Sequence, residues 1–133
     1  MGTNGDILHL VIEPNRDCAR LAREAVLETF PDVTARDTLE LVVSELVTNA
    51  YLYGDGAIEM AISRLDNTVK VVVSNHVSDP HVTLTPESAH LGSNAETENG
   101  RGLALVERLS QSWDYSVTGS RLSVSAIVTG LYQ

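Results

Sequence analysis

Leu39, Val42, Val43, Leu46, Val47 and Ala50 recur at i, i+3, i+4, i+7, i+8 and i+11, the spacing that buries one stripe of an α-helix. The pattern predicts the longest helix of the chain. Thr34 with Asp37 three residues on resembles a capping box at its start, and Gly54-Asp55-Gly56 closes it after Tyr53. Cys18, Leu21, Ala22, Ala25, Val26 and Thr29 predict a shorter helix before it, begun by Asn15 and stopped by Pro31. Residues 7–12 read as a first strand. Ile58, Met60 and Ile62, then Val69, Val71 and Val73, alternate with their neighbours on either side of Leu65-Asp66-Asn67, which is the signature of a hairpin. From Gly102 onward, Leu103, Val106 and Leu109, helped by Leu105, predict a third helix. Trp113, Tyr115 and Val117, a Gly119-Ser120 turn, and Leu122, Val124, Ala126 and Val128 predict a second hairpin.

The order is strand, helix, helix, hairpin, long connection, helix, hairpin. Strands that arrive in hairpins with helices between them argue for an α+β fold: a two-layer sandwich of a mostly antiparallel mixed sheet with about three helices on one face. Regular βαβ alternation is absent, which excludes a Rossmann or P-loop order. Periodicity is lost between Ser74 and Asn99, so a lid-like loop is expected at about 76–99. The 133 residues suit one domain, 1–133.

Composition narrows the function classes. The formal charge is -9 and Lys70 is the only lysine; direct nucleic-acid binding, which needs a basic stripe, is disfavoured. An acidic domain suits a basic protein partner, or is acidic for solubility alone. No apolar run reaches the roughly 18 residues of a membrane span. The start of the chain lacks the basic and apolar regions of a signal peptide. A single cysteine, Cys18, on an apolar stripe reads as a core thiol, and a cytoplasmic location is expected.

Three stretches carry candidate chemistry. Glu45 and Asn49 stand off the buried stripe of the long helix, four residues apart and on one face, with Leu41 a turn before and Tyr53 a turn after. A carboxylate there can accept a proton, and a carboxamide can offer oxygen to a hard cation. Asn99-Gly100-Arg101-Gly102-Leu103-Ala104 opens a helix with two glycines and an arginine, the outline of a phosphate cradle. Ser74-Asn75-His76 ends a central strand, where the Asn75 amide could pair with the edge of a base. His76, His81 and His90 share one loop without metal-ligand spacing and read as surface histidines. Ser74, His76 and Asp79 lack the nucleophile elbow of a hydrolase.

Taken together, these stretches resemble the anti-sigma-factor serine/threonine kinase family, a branch of the GHKL nucleotide-binding superfamily that includes histidine-kinase and gyrase ATPase domains. Glu45-Leu46-Val47-Thr48-Asn49-Ala50 is similar to that family's N box. Gly100-Arg101-Gly102-Leu103-Ala104-Leu105-Val106, followed by Trp113, is similar to its second glycine box. The resemblance implies the histidine-kinase-like ATP-binding fold, with ATP and Mg²⁺ as cofactors. It implies Glu45 as catalytic base, Asn49 as Mg²⁺ ligand, Asn75 at the base, and Gly100, Arg101, Gly102, Leu103 and Ala104 around the phosphates. It further implies phosphorylation of a serine or threonine on an antagonist protein, sequestration of a sigma factor, and a homodimer.

The chain departs from the family at three points. Asn75 stands where the family carries an adenine-binding aspartate, Tyr53 where many relatives carry histidine, and Glu96 and Glu98 precede the phosphate loop. These departures keep a second reading open, a non-catalytic protein-interaction module on the same fold with weak or lost ATP binding.

Overall fold

The computed structural model describes residues 6–30, 35–81, 83–84 and 103–130. Its elements follow the order β1 (Asp6–Ile12), α1 (Cys18–Thr29), α2 (Arg36–Tyr53), β2 (Asp55–Leu65), β3 (Thr68–His76), α3 (Leu103–Leu109), β4 (Ser112–Thr118) and β5 (Arg121–Thr129).

The helix starts differ from the expected caps. Asn15 does not cap α1 directly; its Oδ1 accepts the Asp17 N–H at 2.7 Å, and its carbonyl accepts the Cys18 N–H at 3.1 Å. This is an Asx turn that leads into a helix beginning at Cys18. The capping box expected at α2 falls on Thr34 and Asp37. Thr34 lies outside the described residues, and the cap is Ala35 at φ 65, with no side-chain cap bond. Asp37 still lies in the first turn, where its charge complements the helix dipole. Arg36 also donates to the Phe30 carbonyl at 3.4 Å, tying the end of α1 to the start of α2.

The sheet has five strands in the order β1-β2-β3-β5-β4. Every described pairing is antiparallel, so the mixed sheet expected from the sequence is fully antiparallel among the described residues. The reason is the last hairpin: α3 delivers β4 to the sheet edge, and β5 returns between β4 and β3. The Asp66-Asn67 turn joins β2 to β3, with Asp66 at φ 53. The expected Gly54-Asp55-Gly56 terminator is shorter than read, because β2 already begins at Asp55.

Strand alternation sends one set of side chains into the core. Ile58, Met60, Ile62, Val69, Val71, Val73, Leu122, Val124, Ala126 and Val128 are buried and face the helices. They pack with Leu39, Val42, Val43, Leu46 and Val47 of α2, Cys18, Ala22 and Val26 of α1, and Leu103 and Val106 of α3. The opposite sheet face carries His9, Glu59, Lys70, Ser123 and Ser125, and the His9 ring approaches Glu59 Oε2 at 2.6 Å. Among the described residues no helix is long and apolar enough to cross a membrane.

Candidate functional site

α2 positions the site. It packs on α1 and α3 at its flanks and on β2, β3 and β5 beneath, so more than one stripe of it is enclosed. Glu45 and Asn49 leave the apolar stripe but do not reach solvent: Glu45 is 2% exposed and Asn49 0%. Leu41, a turn earlier, is exposed. Tyr53, a turn later, is half-buried, and that burial pushes its phenol pKa up. Ser44, also buried, accepts a hydrogen bond from Arg23 of α1 at 3.0 Å.

Asn49 is the most informative side chain here. Neither Oδ1 nor Nδ2 has a hydrogen-bond partner among the described residues. A buried amide left unsatisfied costs about 1–3 kcal/mol. Its oxygen is of the hard type that Mg²⁺ takes as ligand, and Glu45 stands one turn away. By donor type, the unpartnered amide oxygen and the carboxylate are groups that Mg²⁺ takes as ligands.

Asn75 follows Val69, Val71 and Val73 on the inward face of β3, which carries it under the end of α2. It is 1% exposed. Its Nδ2 donates to the Ala50 carbonyl at 3.1 Å, and its Oδ1 has no partner among the described residues. The same carbonyl accepts the Gly54 N–H at 2.9 Å. Opposite Asn75 the β2–β3 register shifts between Asp55 and Glu59, a bulge through Gly56 at φ 76.

Glu45 and Asn49 are thus buried along α2, and Asn75 is buried under its end, bonded to the Ala50 carbonyl. Gly100, Arg101 and Gly102, and also Glu96, Glu98 and His90, lie outside the described residues. Leu103 opens α3 with a fully buried side chain, and Ala104 is half-buried. The expected loop at 76–99 starts later than read, since His76 still belongs to β3. Leu84 returns to the core; positions 82 and 85–99 lie outside the described residues. Exposed Ser78 donates to Asp55 at 2.5 Å, and no described cluster of three His, Cys, Asp or Glu could hold a metal.

Sequence reasoning missed Gly54 and the Ala50 carbonyl as parts of the site. The only local signal was a glycine at a helix end, which normally reads as a stop. A groove of about 180 Å³ lined by Lys70, Asp114, Ser116, Ser123 and Ser125 lies on the opposite sheet face, away from these buried groups.

A five-stranded antiparallel sheet with three helices is consistent with the histidine-kinase-like ATPase fold. Residues 15–126 match the histidine kinase-like ATPase domain family, and the chain belongs to it. This supports membership of the GHKL superfamily. The fold is similar to that of the histidine kinase AdeS of Acinetobacter baumannii, with a TM-score of 0.52 and 15% identity over 93% of this chain and 68% of that one. No curated protein matches the chain.

Proposed function

We propose that the protein is an ATP-binding serine/threonine kinase of the anti-sigma type, acting in the cytoplasm on protein partners. It sequesters a sigma factor and phosphorylates a serine or threonine of an antagonist, and its working unit is a homodimer. The reading rests on Asn49, a fully buried carboxamide without a partner among the described residues, one turn from a buried carboxylate. Asn49 would hold Mg²⁺ through its amide oxygen. Glu45 accepts the proton of the attacking hydroxyl, the role its residue type allows. Asn75 meets the base, and Gly100, Arg101 and Gly102 hold the phosphates with the backbone N–H groups of Leu103 and Ala104. Bound ATP with Mg²⁺ supplies the phosphoryl group and neutralises its charge. Such transfer is largely positioning and electrostatics, so a sparse set of side chains suffices. A formal charge of -9 suits a basic protein partner rather than nucleic acid.

Glu45→Ala should abolish phosphoryl transfer to the antagonist in a protein whose circular dichroism is unchanged. Undiminished transfer would overturn the catalytic assignment. A second reading, the non-catalytic interaction module, is favoured by one observation. The side chain at position 75 is a neutral amide already bonded to the helix end, which weakens it as a base reader relative to a carboxylate.

A further inference from the structure

Gly54 has an ordinary backbone conformation, φ -110 and ψ -173, which any residue could adopt. Its lack of a side chain answers to space. A Cβ there would lie 2.3 Å from Asn75 Oδ1, 2.4 Å from Nδ2 and 2.6 Å from Cγ, all closer than non-bonded atoms approach. The Asn75 amide therefore lies directly on the Gly54 backbone. Its orientation is fixed from the other side by the Ala50 carbonyl, which accepts both the Gly54 N–H at 2.9 Å and Asn75 Nδ2 at 3.1 Å. A turned amide would set oxygen against oxygen. One end of the side chain is consumed, and the other, Oδ1, is a buried acceptor with no partner among the described residues.

We infer that Gly54 and the Ala50 carbonyl are positioning groups that hold Asn75 as a fixed, neutral, acceptor-only contact, and so determine which bases the site takes. The inference rests on the nucleotide-binding reading above. A base that presents an amino group to Oδ1 satisfies the orphaned acceptor. A base with a carbonyl at the same place meets a second acceptor, and the amide cannot rotate to offer Nδ2 without breaking its bond to Ala50. The carboxylate usual at this position would have no donor for the Ala50 carbonyl. The amide thus serves two ends at once: Nδ2 ties β3 to α2 and Oδ1 reads the ligand.

The test is a titration of the full chain with Mg²⁺ and either ATP or inosine triphosphate, which replaces the amino group by a carbonyl. Wild type, Gly54→Ala, Asn75→Ala and the double variant are compared, each checked for fold by circular dichroism. The wild type should prefer ATP by about tenfold or more, the scale of one unsatisfied buried group. Gly54→Ala should displace the amide and erase that preference. In the Asn75→Ala background the same Gly54→Ala change should cost much less than in the wild type, in affinity and in melting temperature, because the three nearest atoms to a Cβ there belong to Asn75. Equal wild-type binding of the two nucleotides would overturn the inference while leaving the ATP reading intact. So would a Gly54→Ala protein that keeps its preference. Wild type that binds neither would overturn the ATP reading itself, and the selecting role with it.

Discussion

Asn75→Asp is the substitution that restores the family's usual carboxyl, and the structure predicts that it destabilises the fold at neutral pH. Two effects add. The Nδ2 bond to the Ala50 carbonyl is replaced by two facing oxygens, which costs about 1 kcal/mol for the bond and more for the carbonyl left partly unsatisfied. A carboxylate at a position only 1% exposed also loses its hydration, so the folded state favours the protonated acid, which can still donate to Ala50. Together the loss should be about 2–4 kcal/mol near pH 8. For a domain of this size that lowers the melting temperature by roughly 6–16 °C. The sign with pH follows from a raised folded pKa. Below the unfolded value of about 3.9 both states are protonated and the penalty is small. It grows as pH rises toward the folded pKa and then levels off. Thermal unfolding of wild type and variant between pH 4.5 and pH 8 (about these limits) measures it. A variant as stable as wild type at pH 8 would refute the clamp between β3 and α2.

Two further outcomes follow from groups outside this region. The Glu59 carboxylate is held below its ordinary pKa, first by the hydrogen bond from His9 and also by Arg121. It contributes stability above its unfolded pKa that is lost as pH falls through the lower folded value. At 41% side-chain exposure solvent screens the pair, so Glu59→Gln should cost less than about 1 kcal/mol at pH 7 and progressively less as acid protonates the carboxylate, by urea unfolding; a loss that grows in acid would contradict this. Burial pushes the Cys18 thiol up, so a thiol reagent should label it only as fast as the protein opens, and immediate labelling of native protein would show the α1 packing to be wrong.

Much of the architecture is legible from periodicity, because period 2 and period 3.6 are local properties. Val69, Val71 and Val73 mark β3 as plainly as Leu39, Val43 and Leu46 mark α2. What escapes is decided by distant partners. Glu45 and Asn49 lie off the apolar stripe, yet α1, α3 and the sheet enclose α2 on several sides and bury them. A one-stripe reading cannot see that second layer of contact. The α2 start at Ala35 depends on a left-handed backbone that alanine does not announce. The closeness of Gly54 to Asn75 joins a helix end to a strand end through the bulge between Asp55 and Glu59, and no local motif encodes it. The fully antiparallel sheet likewise follows from β5 returning between β3 and β4, a choice made by the last hairpin as a whole.

Binding of ATP is the claim on which the proposed chemistry depends, and calorimetric titration with ATP or a non-hydrolysable analogue, with and without Mg²⁺, tests it directly. Micromolar, Mg²⁺-dependent binding, about -8 kcal/mol, is expected if Asn49 and Asn75 are ligand groups, and it should weaken on Asn49→Ala. No binding at millimolar ATP would contradict the account and leave the domain as a protein-interaction module.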